Sequence, residues 1–284
     1  MKSSMRVGAF GKADSYAHAV TRLRFGLKTK ILALPRVRQV FAAIREGRID
    51  VGILPLENTT GGWIGDVVLG LIRMAEMDPQ TRIIEELDLP VVLSLASKLK
   101  AGELGQVRRI YSHPVPLGHC EDWLSRHVPG AELLEVSSTS EAAERASREK
   151  GSAAVCNAGA ARRLGLHVLV PHIEKETANL TRFVVISRTL PPSSGSKRKS
   201  SLWFSLPDKP GSLRAALGAF GSHGVNMTRI ESRSLDAFKT YRFYVEIEGD
   251  GNQPKVRSAL AALTRRAQRW ALIGSYPVKI LKPR

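Results

Sequence analysis

The chain has 284 residues, of which 43 % are hydrophobic and 24 % charged, so it is long enough for two or three domains and too apolar for an intrinsically disordered protein. Its 43 Lys and Arg residues outnumber 26 Asp and Glu residues and give a formal net charge of +17. This charge fits binding to nucleic acid, attraction to an anionic membrane or steering of a small polyanionic substrate, and by itself it does not distinguish them.

The two cysteines, Cys120 and Cys156, lack CxxC spacing. They predict neither a disulfide framework nor a metal site, and they fit a reducing compartment. The apolar stretch at the N-terminus is too short for a signal peptide, and no run approaches the ~20 apolar residues that span a bilayer. We therefore expect a cytoplasmic protein without a membrane segment or a metal site.

Up to residue 190, short apolar runs alternate with helical periodicity. Arg6–Phe10 predicts a strand, and Tyr16, Ala17, Val20 and Leu23 follow at helical spacing. The alternation is typical of an α/β domain with largely parallel sheets, in which ligands bind at the carboxyl ends of strands. Further strands are predicted at Ile49–Leu54, Val91–Leu95, Val107–Tyr111, Leu133–Val136, Ala153–Cys156, Val168–Val170 and Phe183–Ile186.

The segment Pro191–Ser200 (PPSSGSKRKS) combines Pro, Gly, Ser and basic residues without apolar periodicity, which predicts a solvated linker. After it, the pattern predicts the order strand, helix, strand, strand, helix, strand, which is the ferredoxin-like order. The predicted elements are Ser201–Leu206, a helix around Leu213–Phe220, Met227–Arg233, Thr240–Glu248, Pro254–Gln268 and Tyr276–Leu281.

Small polar residues lie at several junctions between a predicted strand and a predicted helix. Examples are Asn58, Ser112, Asn157 and the pair Ser138 and Glu141, which has capping-box spacing. Each alone is more often a turn or cap residue than a ligand. Together they indicate a cleft that presents helix N-termini and neutral hydrogen-bond donors to a small dicarboxylate. A nucleic-acid surface is disfavoured, because aromatics are only 6 % of the chain and are not clustered among basic residues.

Four segments resemble, in order, the motifs of the prephenate dehydratase family: Leu54–Gly62 (LPLENTTGG), Ser112–Cys120 (SHPVPLGHC), Ser138–Ala143 (STSEAA) and Asn179–Ile186 (NLTRFVVI). Two later segments, Asp208–Leu213 (DKPGSL) and Glu231–Ser234 (ESRS), resemble the effector motifs of the ACT domain that accompanies this family. The order of the motifs extends over nearly the whole chain.

The resemblance implies a bilobal α/β catalytic domain over residues 1–190, akin to type 2 periplasmic binding proteins. Lobe 1 would comprise about 1–80 and 171–190, and lobe 2 about 81–170. The linker 191–200 would lead to a ferredoxin-like α+β ACT domain over 201–284, without a chorismate mutase domain. Sharing of ACT domains implies a homodimer or a homotetramer.

The resemblance also implies the reaction, the decarboxylating dehydration of prephenate to phenylpyruvate in L-phenylalanine biosynthesis, without a metal or cofactor. Thr181 would be catalytic and would hydrogen-bond the departing hydroxyl. Further substrate-binding residues would be Asn58, Thr59, Ser112, Ser138, Thr139, Asn157, Arg182 and Lys12. L-Phenylalanine would bind the ACT domain near Gly211, Ser212, Leu213, Asn226, Glu231, Ser232 and Arg233.

Some positions depart from the family pattern. Lys12 replaces a small hydroxyl residue, Gly61 replaces a glutamate, Val115 with Pro116 replaces Gln-Ala, and Ser234 replaces a proline. Two alternatives therefore stand beside the dehydratase. One is a prephenate decarboxylase-like enzyme that keeps the ring hydroxyl, which would not need Thr181. The other is a non-catalytic sensor of aromatic ligands.

Overall fold

The computed structural model describes residues 5–282 except 14, 60–61, 91, 175–179, 190, 193, 196 and 237–239. The α-helices are α1 (Tyr16–Phe25), α2 (Val37–Arg45), α3 (Gly65–Met77), α4 (Pro114–His127), α5 (Thr139–Ala146), α6 (Ala158–Arg163), α7 (Ser212–Gly221) and α8 (Pro254–Thr264). The β-strands are β1 (Val7–Phe10), β2 (Ile31–Leu34), β3 (Val51–Asn58), β4 (Gly62–Trp63), β5 (Arg82–Pro90), β6 (Ser94–Ser97), β7 (Arg109–Ser112), β8 (Glu132–Glu135), β9 (Ser152–Cys156), β10 (His167–Val170), β11 (Leu180–Ser187), β12 (Arg198–Ser205), β13 (Met227–Asp236), β14 (Thr240–Glu248) and β15 (Arg269–Ile280).

Several helix starts follow directly from the local sequence. Pro114 and Pro254 open α4 and α8, where proline lacks only an N–H that has no helical partner. The Ser138 hydroxyl accepts from the backbone N–H of Glu141 and so caps α5. The Glu141 carboxylate bonds the backbone N–H of Ser137, not that of Ser138, so the predicted capping box closes one residue further back.

The first lobe contains the strand order β5-β11-β3-β1-β2, with β4 beside β3. β1 pairs parallel with β2 and β3, whereas β11 runs antiparallel between β3 and β5. The apolar pattern of the sequence does not predict β5, because its sequence RIIEELDLP places acidic residues where a buried strand is normally apolar. The first lobe therefore extends to Pro90 and not to residue 80.

The second lobe has the strand order β10-β6-β9-β7-β8, and α4, α5 and α6 connect or follow its strands. β7 is parallel to both β8 and β9. The chain passes between the lobes twice, after β5 and after β10. Beside these crossings the backbone N–H of Ile173 donates to the Leu93 carbonyl at 3.0 Å.

The C-terminal domain has the predicted ferredoxin-like order, β12-α7-β13-β14-α8-β15. β12 begins at Arg198, so the last residues of the predicted linker belong to a strand. β15 is longer than predicted: its first part pairs with β12 and its end pairs parallel with β5. The sheets of the C-terminal domain and of the first lobe are thus continuous, in the order β13-β14-β12-β15-β5-β11-β3-β1-β2.

Two apolar cores flank the sheet of the C-terminal domain. One face packs on α7 and α8 through Phe204, Phe220 and Leu263, among others. The other face contributes Trp203 and Tyr244 to a core that also contains α3 of the first lobe. The shared core holds the C-terminal domain against the first lobe. Within the described residues, no helix is long and apolar enough to cross a membrane.

Candidate active site

The predicted catalytic residue Thr181 lies opposite Asn58 where β11 pairs with β3. The Asn58 Nδ2 donates to the Thr181 Oγ1 at 2.9 Å. Thr181 is buried and Asn58 half-buried. Because the hydroxyl accepts this bond, its own proton is left to be donated elsewhere. Asn58 thus orients Thr181 as a hydrogen-bond donor.

Thr59 secures the same pair of strands. Its backbone N–H donates to the Leu180 carbonyl at 2.9 Å. Its side-chain Oγ1 in turn accepts from the Leu180 backbone N–H at 3.0 Å. These two bonds fix the residue immediately before Thr181, so the geometry gives Thr59 a positioning task in addition to any contact with substrate.

Arg182 does not join this cluster. Successive residues of a strand point to opposite faces of a sheet, so Arg182 points away from the side of Thr181. Its guanidinium bonds the carboxylates of Glu57, Glu86 and Glu246, at 2.6, 2.7 and 2.7 Å. Burial alone would lower the pKa of Arg182, but Glu246 and Glu86 raise it. The predicted role of Arg182 in substrate binding is therefore not supported, because its donors already serve carboxylates of the protein.

Predicted residues of the second lobe lie at one edge of its sheet. β7, β8 and β9 are parallel, so the starts of the helices that follow them face the same side. Ser138 and Thr139 lie at the start of α5, and Asn157 caps α6 by accepting from the Ala160 N–H at 2.7 Å. All three are half-buried, and they form an edge suited to a carboxylate.

Ser112 is an exception within this lobe. It is fully buried, and its Oγ donates to the Val155 carbonyl on the neighbouring strand β9 at 2.7 Å. Its hydroxyl proton therefore stabilises the pairing of β7 and β9. The structure thus favours a structural role for Ser112 over the predicted contact with substrate.

Three residues near the predicted cleft depart from the family pattern, and the structure describes two of them. Lys12 is exposed in the turn that leads from β1 to α1, at the sheet edge where β3 also ends. Val115 is exposed in the first turn of α4, beside the cap residue His113. Gly61 lies outside the described residues.

Residues 7–190 match the family model described as prephenate dehydratase, and residues 201–265 match the model of the ACT domain. The chain belongs to the prephenate dehydratase family. It is 31 % identical to the bifunctional chorismate mutase/prephenate dehydratase of Aquifex aeolicus, an alignment that covers 99 % of this chain and 76 % of the relative. It is 31 % identical to the prephenate dehydratase of Mycobacteroides abscessus, with 95 % and 87 % covered.

Solved structures show the same relationship. The prephenate dehydratase of Arthrobacter aurescens in complex with L-Phe is 28 % identical and superposes with a TM-score of 0.83, covering 95 % of this chain and 90 % of that one. GqqA, described as a novel type of quorum quenching acylase, is 29 % identical with a TM-score of 0.84, covering 96 % and 98 %. The bilobal catalytic fold followed by an ACT domain is therefore shared.

The ACT residues predicted to bind the effector fall into two groups. Gly211, Ser212 and Leu213 lie at the start of α7, where Gly211 has a φ of 83°. Asn226 follows the other end of that helix, and Glu231 lies in the strand after it. A helix of 10 residues is ~15 Å long, so Gly211–Leu213 and Asn226 lie at opposite ends of α7.

One side of β13, which includes the predicted effector residues Glu231 and Arg233, faces the catalytic domain. The Arg233 guanidinium lies about 3 Å from where a side chain at Gly65 would begin, at the start of α3, and it pairs with Glu231 at 2.9 Å. Arg229, two residues before Glu231, pairs with Glu57 of β3 at 3.3 Å. Residues of the predicted effector strand thus contact the first lobe directly.

The sequence-based prediction missed Glu57, Glu86 and Glu246. Each is an acidic residue between apolar residues of a strand-like run, which is the signal that could have singled them out. Their partner Arg182 lies up to 125 residues away along the chain. Only the folded chain shows that they belong to one cluster.

Proposed function

We propose that this chain is a prephenate dehydratase that converts prephenate to phenylpyruvate, carbon dioxide and water. The observation that carries the proposal is the buried Thr181 hydroxyl, oriented by the Asn58 amide at the edge of the first-lobe sheet. Membership of the family, with relatives named for this activity over 95 % or more of the chain, supports it.

The reaction breaks two bonds of prephenate. The bond to the ring carboxylate breaks to release carbon dioxide, and its electrons enter the ring. As the ring double bonds shift, the bond to the ring hydroxyl breaks and its electron pair leaves on the oxygen, which takes a proton from solvent and departs as water. Thr181 is too weak an acid to transfer its proton fully, but its O–H can donate a hydrogen bond to the oxygen as negative charge develops there.

The remaining carboxylate, on the pyruvyl side chain, needs a separate binding site. The half-buried edge formed by Ser138, Thr139 and Asn157 offers backbone N–H groups and hydroxyls at helix starts, which stabilise negative charge. Lys12, exposed in the turn after β1 of the first lobe, adds a positive charge. Closing the lobes over the substrate would exclude water and strengthen these interactions.

The test is incubation of the purified chain with prephenate at neutral pH, with the product identified by mass. We expect phenylpyruvate from the wild type and at least a ~100-fold lower kcat from Thr181→Val, which keeps the shape and removes the donor. Thr181→Ser should recover most of the rate. A product that has lost carbon dioxide but kept the hydroxyl would establish the decarboxylase instead, and tight binding without turnover would establish the sensor.

Acylase activity is a second candidate, because GqqA resembles this chain over 96 % of its length. An acylase hydrolyses an amide to a carboxylic acid and an amine. The chain can therefore be incubated with N-acylated amino compounds and the free amine measured. Amine release that is lost in Thr181→Val, in a protein without prephenate turnover, would favour this candidate.

For the ACT domain, we propose that L-phenylalanine binds between two copies of the chain and that the enzyme is a homodimer or homotetramer. The separation of Gly211–Leu213 from Asn226 along α7 supports a site completed by a second chain. Leu213 and Ile230 are exposed apolar residues near these groups, and β13 ends the sheet among the described strands. The Arthrobacter relative was solved with L-Phe bound.

A thermal melt with phenylalanine, tyrosine and tryptophan tests the effector, and sedimentation tests the oligomeric state. Stabilisation by phenylalanine of a species larger than a monomer is expected. Stabilisation by none of the three would contradict the effector proposal. A cytoplasmic location stays a prediction from the sequence, in keeping with two buried free thiols.

A further inference from the structure

Directly behind the Asn58–Thr181 pair, a second pair joins the same two strands. Glu57 and Arg182 are opposite each other in the register of β3 and β11, one position beyond Asn58 and Thr181. The Arg182 Nη1 donates to the Glu57 Oε2 at 2.6 Å. An ion pair on one face of the sheet therefore backs the proposed catalytic pair on the other face.

The ACT domain supplies most of the remaining partners. Glu246 of β14 accepts from the Arg182 Nη2 at 2.7 Å, and Arg229 of β13 contacts Glu57 at 3.3 Å. Lys199 of β12 donates to Glu86 of β5 at 2.8 Å, and Glu86 also accepts from Arg182. The ACT strands β12, β13 and β14 each contribute a charged residue to this network.

The network is deeply buried, which makes it sensitive to geometry. The side chains of Glu86 and Glu246 are 0 % exposed and that of Arg182 is 6 % exposed. The carboxylates of Glu57, Glu86 and Glu246 contact the cations of Arg182, Lys199 and Arg229, and a fourth carboxyl, Asp88, lies beside them. Charges in such surroundings are poorly screened, so displacement of one partner leaves another charge uncompensated. Movement of an ACT strand therefore acts directly on Glu57 and Arg182.

We propose that the Glu57–Arg182 pair is a positioning element through which the ACT domain sets the orientation of Asn58 and Thr181. Effector binding along β13 would then alter kcat through Arg229 and Glu246. This inference rests on the proposed dehydratase function. A positioning role for the pair also explains why Arg182 lies next to Thr181 without facing the substrate edge.

β13 has the geometry that this coupling needs. Arg229, Glu231 and Arg233 alternate along the strand and so share one face, which contacts the first lobe. Glu231 and Arg233 are also predicted effector residues. A ligand that favours one position of β13 would shift the conformational equilibrium of the catalytic strands by its difference in affinity for the two positions.

The test uses Glu246→Gln, which keeps the size and the hydrogen-bonding oxygen and removes the charge. Arg242→Gln is the matched control, because Arg242 of β14 pairs with Glu76 of α3 at 3.1 Å and joins the same two domains without contacting β3 or β11. kcat and KM for prephenate are measured for the full-length protein with and without L-phenylalanine, and thermal melts show that each variant is folded.

We expect Glu246→Gln to lower kcat about 10-fold with KM changed less than twofold, and to reduce the effect of L-phenylalanine on kcat to less than half. Arg242→Gln should lower the melting temperature and leave kcat and the phenylalanine response unchanged. If Glu246→Gln does not fold, Arg229→Gln at the half-exposed end of the network should show a smaller loss of kcat, two- to fivefold, and the same loss of response.

Equal kcat losses in Glu246→Gln and Arg242→Gln would overturn the proposal, since the loss of any contact between the two domains would then lower kcat. Unchanged kcat in both Glu246→Gln and Arg229→Gln would also overturn it. A wild-type kcat that L-phenylalanine does not alter would refute the regulatory part. A wild type that does not turn over prephenate would refute the proposed function itself, and the coupling proposal with it.

Discussion

Asp88 offers a stability test with a defined sign. It lies on β5 beside the buried network, and burial together with the nearby charge of Glu86 raises the pKa of its carboxyl to about 6. Its Oδ1 is buried and has no hydrogen-bond partner among the described residues. The carboxylate is thus held where its charge is unfavourable. Asp88→Asn removes the charge with little change of shape.

The direction follows from proton binding. The carboxyl of an unfolded chain has a pKa of about 3.9, so between about pH 4 and pH 6 the folded state holds a proton that the unfolded state has released. Stability falls as pH rises through this range, and the loss is complete above about pH 7. A difference of about two units between the folded and unfolded pKa corresponds to at most ~3 kcal/mol of unfolding free energy. Because Asp88 is only half-buried, solvent screening lowers the expected loss of stability to about 1 kcal/mol.

Urea unfolding of the wild type and Asp88→Asn at pH 7.5 and pH 4.5 measures the effect. The variant should be about 1 kcal/mol more stable at pH 7.5, with most of the gain gone at pH 4.5. Asp50→Asn is the control of opposite sign, because the hydrogen bond from Arg6 lowers the pKa of Asp50. That variant should lose stability by nearly the same amount at pH 7.5 and pH 4.5, since the contribution of a lowered carboxyl pKa disappears only below about pH 4. A gain for Asp88→Asn that is the same at both pH values would refute the reasoning.

Two further predictions concern the domain junction and the catalytic pair. At Gly274 of β15 an added Cβ would lie 2.3 Å from the Ile83 carbonyl oxygen, so Gly274→Ala should lower the free energy of unfolding by roughly 2–4 kcal/mol. Gly218 of helix α7 is the control, because an added Cβ there would meet no atom within 4 Å. In the same urea titration, Gly218→Ala should be neutral or stabilising by up to ~1 kcal/mol. An equal loss in both would contradict the clash. Asn58→Ala should lower kcat about 10-fold, and the double variant with Thr181→Val should be no slower than Thr181→Val alone, because the two side chains act as one unit. Multiplicative losses in steady-state kinetics would show that they act separately.

Local sequence determined much of this protein. Apolar runs predicted β1, β9 and the order of elements in the ACT domain, and cap residues such as Ser138 predicted a helix start, because these features depend on neighbours within a few residues. The motif around Thr181 and the motif around Asn58 identified two residues that the fold then places 2.9 Å apart. Residue type and spacing along the chain were sufficient for these features.

Only the tertiary structure decided the role of charged residues inside strands. β5 is a central strand despite Glu85 and Glu86, because Arg24 and Arg182, from other elements, neutralise their carboxylates. Arg182 turns away from the substrate edge because strand pleating reverses direction after Thr181, and its partner Glu246 is 64 residues away. A buried charge is stable only with a partner, and the partner is set by how distant strands pair. That pairing, above all of β15 with β5, is what connects the ACT domain to the catalytic strands.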